Sequence, residues 1–372
     1  MKNKDSIFWC SNCLMMSTRP RISFDKNTIC NACQWSFEKK TINWNERIQK
    51  LNLLLNNYRG KNQYDCIVTV SGGKDGSYVA HNLKNNYNMK PLCVTITPPL
   101  PLELGQKNLQ NFIDSGYEHI SINVNPITMR KLDTIGFKEF GFPYYGWLLA
   151  IHTAPVRIAQ KFGIELIFYS EDGEVEYGGM KERRYENLHN IEYKIEAFLA
   201  SHYQDLISTC NLDEKDLFMF SFPNKKEIEE NPIKFTHWSY YENWDPYRNY
   251  IIAKENCGLL ENEETNKGTF TNFAQTDQAL YSLHTYIMYL KFGFGRATQD
   301  ACIEIRRGAM DREQAKNLVS IYDNYYPENF IQTYLDYYQL NIDEFNNVID
   351  KFANTNLFEK IDGRWQPKFE IS

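Results

Sequence analysis

The stretch that decides the fold spans residues 66–77 and reads Cys66-Ile67-Val68-Thr69-Val70-Ser71-Gly72-Gly73-Lys74-Asp75-Gly76-Ser77. Its first five residues are apolar or β-branched and predict a buried strand, and the two adjacent glycines predict a tight turn. Beyond the turn, Val79, Leu83 and Tyr87 recur at helical spacing. A strand that passes through a glycine turn into a helix brings backbone N–H groups and the positive end of a helix dipole together, which favours anion binding.

Helical and strand-like segments alternate around this loop. Helices are predicted at 44–59, 103–115 and 126–162, and strands at 92–97, 119–124 and 164–170. This alternation predicts an α/β fold with a parallel sheet covered on both faces. We therefore expect an α/β domain at 44–180, a charged helical insertion or lid at 181–268, and a helical region at 269–372 that completes the active site.

The glycine loop fits neither the Walker A signature nor the dinucleotide fingerprint, because its glycines and lysine have the wrong spacing. It resembles the PP-loop of the ATP pyrophosphatase superfamily, Ser-Gly-Gly-x-Asp-Ser, whose members cleave ATP to AMP and pyrophosphate. The resemblance implies that ATP is bound by Ser71, Gly72, Gly73, Lys74, Asp75, Gly76, Ser77 and, at the end of the second strand, Thr97. Gly76 stands where the pattern has serine, so the hydroxyl that meets the pyrophosphate is either Ser71 or Ser77.

A turn rich in carboxylates follows the strand predicted at 164–170. Open parallel sheets bind ligands just beyond the carboxyl ends of their strands. The superfamily resemblance implies that such a turn helps to place Mg²⁺ or the substrate. We expect a catalytic role for Glu171 and contacts with substrate or pyrophosphate for Asp172 and Glu174. A solvated acidic turn is the alternative.

Four of the nine cysteines form two tight pairs near the N-terminus. Cys10-x-x-Cys13 and Cys30-x-x-Cys33 are separated by sixteen residues, which is typical of a four-cysteine zinc site. A complete thiolate shell leaves no open position, so the metal would be structural Zn²⁺. We expect a zinc ribbon at 1–43, with an iron–sulfur cluster as the alternative.

A basic block follows an apolar helical stripe in the C-terminal region. The block reads Lys291-Phe292-Gly293-Phe294-Gly295-Arg296-Ala297-Thr298. Clustered cations of this kind can hold phosphate or carboxylate. We expect Lys291 and Arg296 to be catalytic, and Asp300 and Arg306 to contact substrate or pyrophosphate; ordinary surface ion pairs are the alternative.

Four segments together resemble the N-acetyl sugar amidotransferase family over nearly the whole chain. They are the four-cysteine module, the glycine loop, Glu-Asp-Gly-Glu-Val-Glu-Tyr-Gly-Gly at 171–179 and the block at 291–298. This family serves bacterial surface-glycan biosynthesis, including the pseudaminic acid and lipopolysaccharide O-antigen pathways. The resemblance implies that ATP and Mg²⁺ are used to convert the acetamido group of a nucleotide-activated sugar or nonulosonate into an acetamidino group, with release of AMP and pyrophosphate.

The source of ammonia is expected to lie outside this chain. A glutaminase of the amino-terminal-nucleophile kind needs cysteine at position 2, which here is Lys2. None of the five scattered cysteines has the glycine context of a nucleophile elbow. We therefore expect a separate glutaminase subunit, or free ammonia.

The overall composition argues against a nucleic-acid or membrane partner. The formal net charge is −6, and no apolar run approaches the roughly 20 residues of a membrane span. Without an apolar signal core, the cytoplasm is the expected compartment. The local charge of +5 in the first 50 residues, from nine Lys and Arg against four Asp and Glu, favours an alternative: a tRNA-modifying PP-loop enzyme of the thiolation or lysidine type. The shifted serine favours another, a catalytically inactive zinc-ribbon adaptor.

Overall fold

A computed structural model describes residues 7–170, 174–179, 184–195, 199 and 202–371. Its centre is a parallel sheet of β1 (Cys66–Thr69), β2 (Pro91–Ile96), β3 (His119–Ile122), β4 (Leu166–Tyr169) and β5 (Lys234–His237). The strand order is β3-β2-β1-β4-β5. The chain builds outward from β1 to β3 and then crosses to β4 on the other side of β1. Ligands bind beside the strand ends at such a reversal.

Helices precede, connect and follow these strands. The N-terminal and sheet-associated helices are α1 (Asn31–Lys39), α2 (Trp44–Asn56), α3 (Lys74–His81), α4 (Glu103–Asp114), α5 (Pro126–Ile135), α6 (Tyr145–Phe162), α7 (Ile191–Lys194), α8 (His202–Thr209), α9 (Lys225–Glu230) and α10 (Pro246–Cys257). The C-terminal elements are α11 (Leu280–Phe292), α12 (Arg296–Arg307), α13 (Arg312–Tyr322), α14 (Ile331–Tyr338), α15 (Ile342–Phe352) and an antiparallel hairpin of β6 (Phe358–Ile361) and β7 (Arg364–Pro367).

The sheet is apolar on both faces, as the sequence predicts for a parallel sheet. Successive side chains of a strand point to opposite faces. Ile67 and Ile167 belong to the core on the side of α6 and the C-terminal helices. Val68 and Phe168 belong to a second core that includes residues of α3 and α10. The predicted α/β fold is therefore confirmed.

The segment predicted as an insertion at 181–268 contributes to the sheet domain. β5 pairs with β4, and α10 packs against α3. The Asn249 side-chain amide on α10 donates a hydrogen bond to the Asp75 carboxylate at 2.9 Å. β5 and α10 therefore extend the packing of the sheet beyond residue 180, where the sequence placed the start of an insertion. A four-residue strand reading Lys-Phe-Thr-His lacks the apolar run that identifies the other strands.

The C-terminal region is helical as predicted, and it packs against the N-terminal module. The predicted apolar stripe of α11 is buried at Leu280, Leu283, Ile287 and Leu290. A capping box opens α13, where Asp311 and Gln314 are bonded reciprocally. The Arg312 guanidinium contacts the Cys13 carbonyl at 3.4 Å, so the two ends of the chain meet.

No helix in the described ranges combines the length and the apolar character that crossing a membrane requires.

The buried carboxyl of Asp133 ties α6 to the C-terminal helices and generates a prediction about pH. It accepts hydrogen bonds from the Trp147 backbone N–H at 3.1 Å and the Tyr337 hydroxyl at 2.7 Å, and burial raises its pKa to about 7. The unfolded chain has an Asp pKa near 4, so this carboxyl contributes its full stabilisation below about pH 4 and loses it as the pH rises towards 7.

We expect the melting temperature to fall between about pH 5 and about pH 7.5 in the wild type, and to fall less in Asp133→Asn, because the amide cannot ionise. Thermal unfolding followed by circular dichroism measures both slopes. Asp114→Asn, at an exposed position on α4, should keep the wild-type slope. If the melting temperature falls equally with pH in the wild type and in Asp133→Asn, the raised pKa of Asp133 is contradicted.

Candidate functional site

A cleft with a volume of about 840 Å³ lies at the carboxyl ends of the strands, beside the reversal of strand order. Its walls come from three regions of the chain. The sheet domain supplies the loop after β1 and the end of β2, the C-terminal region supplies residues 271–277 with parts of α11 and α12, and the N-terminal module supplies Arg19. The volume suits a small-molecule or nucleotide ligand.

The glycine loop has the geometry of an anion cradle. Gly72 has φ +77°, and a Cβ there would lie 2.4 Å from the Leu109 backbone nitrogen on α4, so only glycine fits. Gly73 is the N-cap of α3. The backbone N–H groups of Lys74, Asp75 and Gly76 therefore fall in the first turn, where they have no acceptor within the helix. All three residues line the cleft.

The structure distinguishes between Ser71 and Ser77, the two hydroxyls that the sequence offered for contact with the pyrophosphate. Ser71 lines the cleft, whereas Ser77 is fully buried in α3. A Cβ at Gly76 would meet the Val70 Cα at 3.0 Å, so a serine there would force α3 away from β1. Ser71 is therefore the loop hydroxyl available to a ligand, and Thr97 lines the same cleft from the end of β2.

The two charged loop residues are held in place by each other and by α10. The Lys74 ammonium forms an ion pair with one carboxylate oxygen of Asp75. Asn249, which is fully buried, donates to the other oxygen at 2.9 Å. The orientation of Asp75 is thus set by a residue from the segment that was predicted to be a lid.

One face of α12 forms the opposite wall. Its cleft-lining residues follow helical spacing and are Arg296, Gln299, Asp300, Ile303 and Glu304. The Arg296 Nε donates to one oxygen of Asp300 at 2.8 Å, and the Thr269 hydroxyl donates to the other at 2.6 Å. Burial alone would lower the pKa of Arg296, but the nearby carboxylates of Asp300 and Asp75 raise it. Arg296 is therefore a fixed cation in the same cleft as the glycine loop.

Two other basic residues predicted for the site lie elsewhere. The Lys291 ammonium donates to the Phe140 carbonyl at 2.7 Å and lies over the Phe352 ring, and burial lowers its pKa. The Arg306 guanidinium donates to the Glu176 carbonyl at 3.3 Å. Neither lines the cleft, so the structure does not bring them together with the loop residues. Lys291 lies in the last turn of α11, which ends at Phe292, and this turn contacts Phe140 and Phe352.

Glu171 and Asp172, in the predicted acidic turn, lie outside the described residues, and so does the side chain of Glu174. The residues that flank the turn are at the cleft. Ser170 lines it at the end of β4, and Tyr177 lines it after the turn.

The four paired cysteines converge on one point. Their Sγ atoms all lie within 4.8 Å of one another, and all four residues are buried. The Sγ atoms of Cys10 and Cys33 are 3.9 Å apart, and those of Cys13 and Cys30 are 3.8 Å apart. A tetrahedron with metal–sulfur bonds of about 2.3 Å has edges of about 3.8 Å. The cluster could therefore bind a single metal ion; a four-iron cluster, whose own atoms stand between the thiolates, would hold them further apart.

The four-cysteine module also holds a segment of the cleft wall. From α1, Trp35 Nε1 and Lys39 Nζ each donate to the Glu176 carboxylate at 2.7 Å. The Asn31 side-chain amide donates to the Gly178 carbonyl at 2.7 Å. Tyr177 lies between these two anchored positions and lines the cleft. The four-cysteine module thus positions the segment that follows the acidic turn.

Several cleft residues were not identified from the sequence. They are Arg19, Tyr144, Trp147, Tyr177, Asp277, Tyr281, His284, Gln299 and Glu304. For Tyr281 and His284 a signal existed, since a step of three residues places them on one face of α11, whereas Asp277 precedes that helix. Nothing in the sequence indicated that this face meets the glycine loop.

Comparison with protein families gives one match, to the C-terminal region that contributes residues to the cleft. Residues 267–370 match the family model described as LPS biosynthesis protein WbpG-like, C-terminal domain. No curated protein matches the chain significantly.

Two solved structures resemble parts of the chain. The predicted subunit of tRNA methyltransferase from Methanocaldococcus jannaschii is 13% identical, with 60% of this chain and 86% of that one covered at a TM-score of 0.28. The U34-tRNA thiolase NcsA from Methanococcus maripaludis with its [4Fe-4S] cluster is 9% identical, with coverage of 71% and 78% at a TM-score of 0.30. Similarities this weak do not bear on the function.

The contacts of α1 predict what loss of the metal-binding cysteines does to the cleft. We expect Cys30→Ser to abolish metal binding and to speed amide hydrogen exchange in residues 174–179 by at least about tenfold, because the anchors on Glu176 and Gly178 loosen. Metal analysis and hydrogen exchange with mass spectrometry measure these two effects.

A cysteine outside the cluster provides the control. Cys210→Ser changes a buried thiol elsewhere and should leave both measurements at the wild-type level. Unchanged exchange at 174–179 in metal-free Cys30→Ser would contradict the positioning role of the module.

The Arg296–Asp300 pair predicts a loss of stability. We expect Asp300→Asn to lower the free energy of unfolding by about 2 kcal/mol, less than the full cost of removing one partner of a buried pair, because the amide keeps one acceptor oxygen. Urea unfolding measures the change. Glu229→Gln removes one partner of an exposed ion pair with Lys225 and should cost less than about 0.5 kcal/mol; equal effects would show that Asp300 does not hold a buried charge.

Proposed function

We propose that this chain, whose residues 267–370 carry a WbpG-like C-terminal domain of LPS biosynthesis proteins, is an ATP-dependent N-acetyl sugar amidotransferase of bacterial surface-glycan biosynthesis. Its substrate is a nucleotide-activated N-acetyl sugar or nonulosonate, and its product carries an acetamidino group. One observation carries the proposal. The glycine loop of the sheet domain and the WbpG-like domain line the same cleft.

The proposed reaction has two steps. The acetamido oxygen attacks the α-phosphorus of ATP, a new P–O bond forms, and the bond to the β-phosphate breaks with release of pyrophosphate. Ammonia then adds to the activated carbon, and the C–O bond breaks with its electron pair leaving on AMP. The amide oxygen therefore departs in AMP, nitrogen takes its place, and the protons given up by ammonia pass to solvent.

The cleft residues have matching roles in this scheme. The free N–H groups at the start of α3, the Ser71 hydroxyl and Lys74 bind the β- and γ-phosphates, and Arg296 stabilises the charge that develops on the leaving pyrophosphate. Mg²⁺ would neutralise further phosphate charge, and Asp75 has the oxygen chemistry to hold it. Glu171 and Asp172, next to Ser170 in the chain, are proposed to contribute to the same metal or to the substrate.

Ammonia is proposed to come from a separate glutaminase or from solution, and the metal at the four cysteines is proposed to be structural Zn²⁺. The five other cysteines are all buried, and none of them lines the cleft. A cysteine nucleophile for glutamine hydrolysis is therefore missing from the described part of the site. The edge lengths of the thiolate cluster suit one zinc ion. The proposal requires no nucleic acid and no membrane, and it is consistent with the cytoplasm.

A loop variant tests the proposed function. The protein is incubated with ATP, Mg²⁺, ammonia and a panel of UDP- and CMP-linked N-acetyl sugars, and mass spectrometry detects AMP and a sugar in which NH has replaced oxygen. We expect Lys74→Ala to lower the rate of AMP formation by at least about 100-fold, because it removes the cation that the glycine loop brings to the cleft.

A second lysine of the same helical segment provides the control. The Lys84 ammonium donates to the Gly116 carbonyl and does not line the cleft, so Lys84→Ala should keep the wild-type rate. Unchanged AMP formation in Lys74→Ala would contradict the proposal. AMP formation that depends on added tRNA instead of a sugar would support an RNA-modifying enzyme.

A further inference from the structure

Part of the cleft wall is aromatic. Tyr144 and Trp147 at the start of α6 and Tyr281 on α11 line it together. Their ring centroids are 5.3 to 6.1 Å apart, and every pair meets edge to face. Sites for small organic ligands combine such aromatic surfaces with a few polar groups.

Two polar side chains complete this region, which we call the aromatic end and define as Tyr144, Trp147, Asp277, Tyr281 and His284. The Tyr281 hydroxyl donates to the Asp277 carboxylate at 3.4 Å. The His284 ring lies 5.1 Å from the Tyr144 ring and 4.7 Å from the Phe142 ring, measured between centroids. All five residues of the aromatic end line the cleft.

His284 carries an unused hydrogen-bonding atom. Its Nδ1 is buried and has no hydrogen-bond partner within the described part of the chain. Burial, followed by the charges of Lys291 and Arg296, lowers the pKa of His284 to about 4, so the ring is neutral near pH 7 and can donate or accept at Nδ1 according to its tautomer. A buried polar atom without a partner is costly, and a ligand that bonds to it removes that cost.

The aromatic end is joined to the ATP-binding part of the cleft but comes largely from another part of the chain. Trp147 Nε1 donates to the Ile96 carbonyl at the end of β2 at 3.2 Å. The aromatic end and the ATP-binding part of the cleft therefore meet at the end of β2. Asp277, Tyr281 and His284 all lie within the WbpG-like segment at 267–370. The loop residues that cradle phosphate lie in the sheet domain. The part of the chain with the glycan-biosynthesis similarity therefore supplies the polar groups of the aromatic end.

We propose that the aromatic end is the subsite for the sugar ring that carries the acetamido group, and that His284 Nδ1 hydrogen-bonds to that group. The inference rests on the proposed function. The aromatic rings pack against the C–H groups of the sugar, and Asp277 accepts a hydrogen bond from a ring hydroxyl. This placement leaves the glycine loop free for ATP and brings the acetamido oxygen into the same cleft as the α-phosphate.

Two isosteric variants test the subsite. His284→Phe keeps a ring between Phe142 and Tyr144 but removes the nitrogen, and Asp277→Asn keeps the shape but removes the charge. Calorimetry on the full-length, metal-loaded protein measures dissociation constants for α,β-methylene-ATP and for the panel of UDP- and CMP-linked N-acetyl sugars. We expect each variant to weaken the tightest-binding sugar by at least about tenfold and to change the affinity for the ATP analogue by less than about twofold.

A histidine outside the cleft serves as the control. His81 is on α3 and pairs with Asn85, so His81→Phe should bind both ligands like the wild type. Weakened binding of the ATP analogue with intact sugar binding would mean that adenine occupies the aromatic end, which overturns the proposal. Absence of binding by every sugar of the panel, or equal sugar binding by wild type and both variants, would overturn it as well.

The binding result is separable from the reaction. Sugar binding that is lost in both variants, together with a wild-type protein that forms no acetamidino product from any sugar, would refute the proposed amidotransferase and leave the subsite standing. Product formation, together with sugar affinities that neither variant changes, would support the amidotransferase and refute the subsite.

Discussion

β1 is hydrogen-bonded to β2 on one side and to β4 on the other, and this double pairing determines where the glycine loop points. Because the three strands are parallel, their carboxyl ends meet at one edge of the sheet, and the chain leaves β2 and β4 on opposite sides of β1. The chain segments that leave β2 and β4 diverge, and in the space between them the loop can expose its N–H groups to a ligand. The cleft and the placement of the glycine loop on its wall follow from this pairing.

The charged groups around the cleft are held by partners from other regions. Asn249 on α10 fixes Asp75, Thr269 fixes Asp300, and Asp300 in turn fixes Arg296. Dipoles and charges that are already oriented can stabilise developing charge without reorganising during a reaction. The region around the cleft is therefore preorganised by contacts that join segments far apart in sequence.

The N-terminal module belongs to this arrangement as well. It supplies Arg19 to the cleft wall and, through Trp35 and Lys39, fixes the Glu176 carboxylate next to Tyr177. A closed four-thiolate site has no open position for a ligand. The four-cysteine module acts on the cleft through its packing, because α1 belongs to the module and holds the segment after the acidic turn in place.

The sequence by itself determined the features that depend on residues close together in the chain. The strand, glycine turn and helix at 66–81 follow from hydrophobic spacing and from the need for glycine at Gly72, and the two cysteine pairs have the spacing of metal-binding knuckles. Tertiary structure alone decided which side chains share the cleft. Lys291 and Arg296 are both basic and five residues apart in sequence, yet only Arg296 faces the loop. β5 was too short and too polar to be recognised, and His284 became a cleft residue only because α11 packs beside α6. Such outcomes depend on how helices and strands distant in sequence pack, which local spacing does not encode.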